Sequence, residues 1–339
     1  MRLTILGLLT TLTATMLAAV LGSPADAAPP RVVSRAVVFE VENTNATSAI
    51  CLPDNRSYRL RGRLVGPRRA IEGRSGALRV NVLVHDAGTG GWFWRLPGQR
   101  GYDYATRLAR HGETSLVLDR LGYGANATDA SSCLGAQADM LHQVVQHLRS
   151  GRYDFADRRL GGTPAAARVV THGHGVGAAI AQVEAATFDD VAGLVLMSWT
   201  DRPATDVARD ALGEQTAACL TGVASAPAAS AASFRHQLFA AAPARVQRRA
   251  AALRAAVPCG EVTSRVPMVL ASGLEAGQVD APVLLLYGSR DALTRPAARS
   301  DQASAYRTKV TTRTFAGAGS ALPLERPARV GATVLRWLR

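Results

Sequence analysis

Lysine is almost absent from this chain. Of the 39 basic side chains in its 339 residues, Lys309 is the only lysine, so arginine carries most of the formal net charge of +13. The arginines are scattered, and no basic run is interleaved with aromatic residues, which make up only 5% of the composition. Nucleic-acid-binding surfaces concentrate such residues in patches, so the composition argues against a nucleic-acid partner.

Long apolar runs are absent after the first segment of the chain. That segment starts with Met1-Arg2, continues through the largely apolar residues 3–21 and reaches Ala25-Asp26-Ala27, which fits a cleavage signal. We therefore predict a signal peptide over residues 1–27 and a secreted, extracellular mature chain with no stable membrane anchor after cleavage. The alternative is an uncleaved anchor, because the apolar stretch is nearly long enough to span a bilayer.

Cysteine is scarce, and its number is even: Cys51, Cys133, Cys219 and Cys259. In an exported chain, four cysteines predict two disulfides with three possible pairings. We favour Cys51–Cys133, which would tie the N-terminal strands to a core loop, and Cys219–Cys259, which would staple the insertion described below. The alternative is free, buried thiols.

The hydrophobic pattern predicts an α/β fold. Two alternating runs, residues 36–41 and 58–65, predict antiparallel strands at the start of a sheet. From residue 80 onward, short apolar strands alternate with amphipathic helices, as in a mostly parallel, doubly wound sheet covered on both faces. The predicted strands after the first two are residues 80–84, 115–118, 169–171, 193–197, 282–287 and 310–315. The last helix is predicted over residues 324–338.

The alternation stops between about residues 200 and 278, where the chain is rich in alanine and has weak helical patterns. We predict a helical cap inserted into the α/β core. The predicted organisation is therefore a signal peptide (1–27), a first core part (28–199), the cap (200–278) and a second core part (279–339). A poorly ordered linker is the alternative, and the low-complexity run 223–232 suits it locally.

Three glycines two residues apart, Gly173, Gly175 and Gly177, separate the predicted strand 169–171 from a predicted helix over 176–186. Small residues at this spacing allow a sharp turn from strand to helix, with close contact between the two elements. In hydrolases with a G-x-S-x-G turn, the middle residue is a serine exposed above the sheet. Here that residue is Gly175.

The whole predicted mature chain resembles the α/β-hydrolase superfamily, and most of all exported actinobacterial members with a cap. Each motif is weak alone, but together they occur in the family's order and spacing, which supports the fold and not by itself the function. The motifs are HDAGTGGW (85–92), DRLGYG (119–124), GHGVG (173–177), YGSRD (287–291) and GAGSAL (317–322).

The resemblance implies a catalytic triad in the chain order nucleophile, acid and base. Asp291 matches the acid, although it could instead cap a helix or form a turn. Gly175 occupies the nucleophile position and has no side chain with which to attack. Ser320 occupies the position of the histidine base, and a serine cannot act as a base near neutral pH. Two of the three roles are therefore predicted to be unfilled.

The resemblance also implies an oxyanion hole made by the backbone N–H groups of Ala87 and Val176. The family has His-Gly where this chain has His85-Asp86. A carboxylate beside the hole would repel a developing oxyanion, so Asp86 is a third departure in the same pocket.

The same loops place further groups near the predicted pocket, which we expect to include His85, Asp86, Trp92, His172 and His174. A metal site of His172, His174 and Asp86 is disfavoured by the sharp turn between the two histidines. We therefore expect no metal and no cofactor. Four other histidines read as surface or packing residues: His111, His142, His147 and His236.

These observations favour a secreted, non-hydrolytic binding protein that resembles serine esterases and lipases and binds a small-molecule or acyl- or ester-type ligand under its cap. The alternative is an active enzyme of the same fold, an esterase-like hydrolase, lyase or cyclase, that uses a displaced catalytic set. A purely structural or interaction role without a pocket is the third interpretation.

Overall fold

The structure, a computed structural model, describes residues 30–128, 132–157, 161–202 and 204–339. The predicted signal peptide, residues 1–27, lies outside the described residues. Among those that are described, no helix combines the length and the apolar character that crossing a membrane requires.

A nine-stranded sheet forms the centre of the fold, with the strand order β11-β10-β7-β6-β3-β4-β2-β1-β5. The strands from β11 to β4 in this order are parallel, and β2, β1 and β5 extend the sheet with antiparallel pairing. The strands are β1 (Val32–Glu42), β2 (Ser57–Pro67), β3 (Arg79–Val84), β4 (Thr114–Leu118), β5 (Asp154–Phe155), β6 (Arg168–His174), β7 (Leu194–Met197), β8 (Ser225–Ala226), β9 (Val257–Pro258), β10 (Val283–Gly288) and β11 (Val310–Phe315).

Helices cover both faces of this sheet, as the continuous apolar strands predict. Every residue of β7 and β10 is buried. The helices are α1 (Arg68–Ile71), α2 (Tyr104–Ala109), α3 (Leu134–Ser150), α4 (Val176–Phe188), α5 (Asp206–Cys219), α6 (Ala231–Leu238), α7 (Ala244–Ala252), α8 (Cys259–Thr263), α9 (Arg265–Glu275), α10 (Pro296–Ala305), α11 (Leu322–Glu325) and α12 (Pro327–Trp337).

The two faces carry separate hydrophobic cores. Helices α3, α4 and α9 contribute to the first core, which packs on one face of the sheet. Helices α2 and α12 contribute to the second core on the other face, together with α6 and α7. The fold is therefore the predicted doubly wound α/β architecture.

The C-terminal helix departs from its predicted form. Sequence periodicity predicts one helix over residues 324–338, but the chain forms α11 and α12 with a break at Arg326, where φ is −136°. Pro327 explains the break, because proline lacks an N–H donor and disfavours the helical conformation of the residue before it. The short elements α1, β5, β8 and β9 had no detectable sequence signal.

Residues 206–275 contain five helices, α5 to α9, and the two-stranded antiparallel sheet of β8 and β9. Phe234, Leu238, Val246 and Ala250 of α6 and α7 are buried in the second core, whereas α5 has no buried residue. The segment predicted as a cap thus lies on the core through α6 and α7.

Both predicted disulfides are present, with the favoured pairing. Cys51 pairs with Cys133 over a Cα–Cα distance of 6.1 Å, and Cys219 pairs with Cys259 over 5.5 Å. The first joins the loop after β1 to the start of α3, and the second joins the end of α5 to the start of α8. No cysteine remains free in the part of the chain that the structure describes.

Candidate functional site

The turn between β6 and α4 has the shape of a nucleophile elbow. Gly175 adopts φ 53° and ψ −122°, a conformation that side-chain-bearing residues rarely adopt. A Cβ atom at Gly173 would lie 2.3 Å from the Cα of Ala178, and one at Gly177 would lie 2.3 Å from the carbonyl oxygen of Val84. The close approach of strand and helix therefore requires glycine on both sides of residue 175.

Asp86, in the loop after β3, points its carboxylate at this turn. One oxygen, Oδ1, accepts hydrogen bonds from the backbone N–H groups of Ala87 and Val176, both at 2.8 Å. These are the two donors that the family resemblance implies for an oxyanion hole. In this structure both N–H groups bind the side chain of Asp86.

The Asp86 carboxylate also fills the space beside Gly175. A Cβ atom at Gly175 would lie 2.2 Å from Cγ and 2.3 Å from either oxygen of Asp86. A side chain at residue 175 is thus excluded while Asp86 keeps this position.

The N-terminus of α4 makes this an electrostatically favourable place for a carboxylate. Unpaired N–H groups at the start of a helix carry a partial positive charge, which attracts anions. Asp86 occupies this position as an anionic ligand would, and its side chain is only 10% exposed.

His174, the residue before the elbow, is fully buried and stacks on Phe93, with 4.3 Å between the ring centroids. Its Nε2 lies 3.1 Å from the carbonyl oxygen and 3.2 Å from Oγ of Ser320, and its Nδ1 lies 3.8 Å from Oδ2 of Asp86. Burial lowers the pKa of His174, although the charges of Asp86 and Asp291 oppose this. The imidazole is therefore neutral near pH 7.

Ser320 lies in the loop between β11 and α11 and is fully buried. Its Oγ contacts His174, and its carbonyl oxygen accepts a hydrogen bond of 2.9 Å from the hydroxyl of Ser198. The structure therefore pairs Ser320 with His174.

Asp291 follows β10 and is used within its own loop. Its Oδ1 accepts a hydrogen bond from the N–H of Leu293 at 2.8 Å, and its Oδ2 accepts one from the hydroxyl of Thr294 at 3.0 Å. Both oxygens therefore stabilise the turn that precedes α10, which is the alternative role that the sequence left open.

His172 and His85 are also fully buried and hydrogen-bonded inside the protein. The Nδ1 of His172 lies 3.0 Å from the hydroxyl of Tyr104, and burial, aided by the charge of Arg79, lowers the pKa of His172 to about 3. The Nε2 of His85 accepts a hydrogen bond from the N–H of Arg120 at 3.1 Å, and burial holds the pKa of His85 well below its usual range. Neither imidazole faces solvent.

The cap segment contacts the loops on both sides of the elbow. The carbonyl oxygen of Leu238 accepts a hydrogen bond of 2.9 Å from the N–H of Ala321, next to Ser320. On the other side, the N–H of Ala255 donates to the carbonyl oxygen of Gly88 at 2.9 Å. These contacts hold the segment predicted as a cap against the loops that contain Gly88 and Ala321.

A buried ion pair, which the sequence did not predict, joins the segment predicted as a cap to the core. Arg120 follows β4, and its Nη1 lies 2.8 Å from Oε2 of Glu261 in α8. Tyr123 donates a hydrogen bond of 2.9 Å to the same oxygen. Burial alone would raise the pKa of Glu261, but the charges of Arg120 and Arg265 outweigh it and lower the pKa. Only the position of Arg120 in the DRLGYG motif could have signalled this pair.

The largest of five described cavities, about 790 Å³, lies away from the elbow. Of the five residues predicted for a pocket, only Trp92 lines this cavity, and no described residue of the predicted cap does. None of the five cavities is lined by Gly175, Asp86, Asp291 or Ser320. We call the 790 Å³ space the Trp92 cavity.

Solved structures with similar folds include two esterases and a monoacylglycerol lipase. An esterase from Thermogutta terrifontis is 19% identical, with a TM-score of 0.62, and the match covers 88% of this chain and 98% of that one. A monoacylglycerol lipase from Paleococcus ferrophilus is 18% identical, with a TM-score of 0.58 and coverage of 78% and 95%. An esterase from Exiguobacterium antarcticum is 16% identical, with a TM-score of 0.57 and coverage of 78% and 92%.

These identities establish a shared fold and leave the activity open. No curated protein matches the chain by sequence. The sequence profile of the alpha/beta hydrolase family matches residues 82–333, which is more than half of the chain and includes the elbow, the Asp86 loop and Asp291. The chain therefore belongs to the α/β-hydrolase family.

Proposed function

We propose that this protein is a non-hydrolytic member of the α/β-hydrolase family that binds a small organic ligand. One observation carries the proposal: Oδ1 of Asp86 accepts hydrogen bonds from the N–H groups of both Ala87 and Val176. An ester hydrolase needs these donors free to stabilise the oxyanion of its tetrahedral intermediate. A carboxylate bound to both donors removes that stabilisation.

The residues at the other two catalytic positions support the same conclusion. Gly175 offers no nucleophile, and Ser320 offers no base for proton transfer. The nearby imidazoles of His172 and His174 are fully buried and have lowered pKa values, so they are weak proton acceptors with no path to a substrate.

The ligand site that we propose is the Trp92 cavity. Four arginines, Arg61, Arg63, Arg95 and Arg100, lie around walls that include apolar side chains such as Leu96 and Val117. Arg95 pairs with Asp103 at 3.2 Å. Apolar walls with a few charged groups suit a small ligand with an apolar body and an anionic end. A medium-chain carboxylic acid fits that description and is the acyl half of an ester.

Secretion is part of the proposal. The A-x-A signal at residues 25–27 and the two disulfides support an oxidising, extracellular setting. We propose residues 28–199 and 279–339 as the core and residues 200–278 as the cap.

The alternative function, an enzyme with a displaced catalytic set, has one observation in its favour. The carboxylate of Asp86 occupies the place where an elbow side chain would begin, and in this alternative it acts in place of the missing nucleophile. Against this, Asp86 is held by two backbone donors and is buried.

Hydrolysis of short and medium p-nitrophenyl esters by the purified mature protein tests the absence of catalysis. We expect no turnover above a buffer control. Turnover that Asp86→Asn abolishes would establish the displaced catalytic set, and turnover that Asp291→Ala abolishes would contradict our assignment of the site.

Isothermal titration with decanoate tests the ligand site. We expect decanoate to bind and decanol, which has the same chain without the charge, to bind at least about tenfold more weakly. The variant Arg61→Ala/Arg63→Ala should lose most of the decanoate affinity, whereas Arg313→Ala, on the exposed side of β11, serves as the matched control. Equal binding of acid and alcohol, or equal affinity in both variants, would contradict the proposal.

A further inference from the structure

A second polar cluster lies at the opposite end of α4 from the elbow. His142 projects from α3, Glu184 from the last turns of α4, and Asp190 from the turn between α4 and β7. The candidate ligand atoms of these three residues all lie within 4.8 Å of one another. Since β6 and β7 are parallel, this cluster is at the edge of the sheet where β7 begins, away from Asp86 and Gly175.

Glu184 is unusually placed for an acidic residue. Its side chain has no exposed surface, and neither carboxylate oxygen has a hydrogen-bond partner among the described residues. One oxygen of Asp190, Oδ1, is likewise buried without a partner. A buried carboxylate without a compensating partner is costly, so such groups are generally paired or bound to a metal.

Among the described residues, the polar groups around the cluster contact Asp190 and not Glu184. Gln146 donates a hydrogen bond of 2.6 Å to Oδ2 of Asp190, and His142 Nδ1 lies 2.8 Å from the same atom. Arg149 binds the backbone carbonyl oxygen of Asp190 at 3.1 Å and not its carboxylate. The C-terminal end of α4 adds a partial negative charge, which favours a cation here.

We propose that His142, Glu184 and Asp190 form a binding site for a divalent transition-metal ion, with Zn²⁺ as the preferred ion. One imidazole and two carboxylates are a donor set that Zn²⁺ accepts at about 2.0–2.2 Å from each ligand. Ca²⁺ is disfavoured because it takes oxygen ligands. The proposed site differs from the predictions made from the sequence, which were that the protein holds no metal and that His142 is a surface or packing residue.

The open side of the site supports a solvent-derived fourth ligand. The side chain of His142 is 24% exposed, whereas that of Asp190 is 6% exposed, so the site faces solvent next to the imidazole. The ring of His142 stacks on Phe188, with 3.8 Å between centroids, which fixes its plane. Water can therefore complete a tetrahedral shell beside three protein ligands.

A proton is the competitor for this site. Metal ligation requires deprotonated carboxylates and an unprotonated imidazole nitrogen, so protons compete with the metal for Glu184, Asp190 and His142. A bound Zn²⁺ would replace these protons and would link α3 to the turn between α4 and β7.

Metal content and thermal unfolding of the untagged, full mature protein test the proposal. After EDTA treatment and dialysis against ZnCl2, we expect about one retained Zn²⁺ per chain. At zinc concentrations about 100 times the Kd, the Tm should rise by roughly 4–6 °C. The variant Glu184→Gln, which keeps the side-chain shape, should lose the retained zinc and the Tm shift, and His236→Ala, on the exposed face of α6, is the matched control.

Co²⁺ absorption provides a readout that does not depend on stability. Visible bands of a four-coordinate Co²⁺ should appear in the wild-type protein and in His236→Ala, and they should be absent in His142→Ala. Since His142 is partly exposed, its truncation is tolerated, and His142→Ala keeps the test available if Glu184→Gln does not fold. Zinc retained equally by wild type and His142→Ala would overturn the proposal. A Tm shift of the same size with CaCl2, or no retained zinc in the wild type, would also overturn it.

Discussion

Asp86 and Val176 are 90 residues apart in the chain and are joined by a hydrogen bond of 2.8 Å from the helix N–H to the carboxylate. This bond places a charged side chain across the turn where relatives of the family are expected to carry a nucleophile. The same carboxylate binds Ala87 and excludes a side chain at Gly175. The departures from the family pattern at residues 86 and 175 are thus physically coupled. The Asp86 carboxylate takes the space that a side chain at residue 175 would need, and Gly175 leaves that space free.

Gly175→Ser alone should destabilise the protein. The substitution places a side chain at a positive φ of 53° and within 2.2 Å of Cγ of Asp86. Backbone strain and overpacking together predict a loss of about 2–5 kcal/mol in the free energy of unfolding. Urea denaturation measures this, with Gly213→Ser as the control, since a Cβ at Gly213 meets no atom within 4 Å.

Adding Asp86→Gly to Gly175→Ser should reduce that loss. A double-mutant cycle is expected to give a favourable coupling of about 1–3 kcal/mol between the two substitutions, because the steric conflict disappears in the pair. Additive effects would show that Asp86 does not occupy the space beside residue 175.

The buried His172 should make stability depend on acidic pH. The folded state keeps this imidazole neutral down to a pKa of about 3, whereas the unfolded chain protonates it below its ordinary value of 6.5. Stability is therefore fully present above pH 6.5 and is lost as the pH falls from 6.5 toward 3. The contribution of this group should decline by about 1.4 kcal/mol per pH unit within that window.

The test compares urea unfolding of wild type and His172→Gln between pH 4 and pH 7. In the variant, the free energy of unfolding should change less steeply with pH, by the amount that corresponds to about one fewer proton taken up on unfolding. Tyr104→Phe is the matched control, because it removes the hydrogen bond to His172 and keeps the imidazole. An unchanged slope in His172→Gln would show that His172 has the same pKa in the folded and unfolded states.

The elbow and the sheet were predictable from sequence because their signals are local. The spacing of Gly173, Gly175 and Gly177 follows from contacts between adjacent elements, and buried parallel strands are apolar along their whole length. The direction of the Asp86 side chain was not predictable. It depends on contacts with a residue far away in the chain, and the sequence suggested only a carboxylate beside the hole.

Glu261→Gln should weaken the attachment of the cap. Glu261 is fully buried, and an uncharged glutamine in its place would leave Arg120 in the interior without its counterion. Breaking one partner of a buried ion pair costs about 3–5 kcal/mol. Thermal unfolding should show a lower Tm, and the double variant Arg120→Met/Glu261→Met should recover part of the loss. A Tm equal to that of wild type in Glu261→Gln would contradict a role for this pair.

The two disulfides should protect different parts of the chain. Cys219–Cys259 anchors α5, which has no buried residue, so Cys219→Ser/Cys259→Ser should expose residues 206–222 to proteolysis. Cys51–Cys133 spans 82 residues, and Cys51→Ser/Cys133→Ser should lower the free energy of global unfolding by about 3–5 kcal/mol. Limited proteolysis and urea unfolding separate the two effects. Equal cleavage of α5 in both variants would contradict this assignment.

The position of the cavity illustrates a second limit of sequence reasoning. Alanine-rich residues 200–278 suggested a cap above a ligand pocket, but two backbone hydrogen bonds hold this segment against the loops of Ser320 and Ala87. Weak helical patterns do not encode how closely a cap lies on its core. Trp92 was predicted to line the pocket because it lies in the loop after β3. It lines a cavity on another side of that loop.

The most direct test of a closed hydrolase site measures esterase turnover of the wild type beside the variant Asp86→Gly/Gly175→Ser/Ser320→His. We predict no turnover by the wild type and, in the folded variant, turnover at least about 100-fold above buffer that is lost again when Asp291→Asn is added. Turnover by the wild type itself, or a folded variant that remains inactive, would contradict the account.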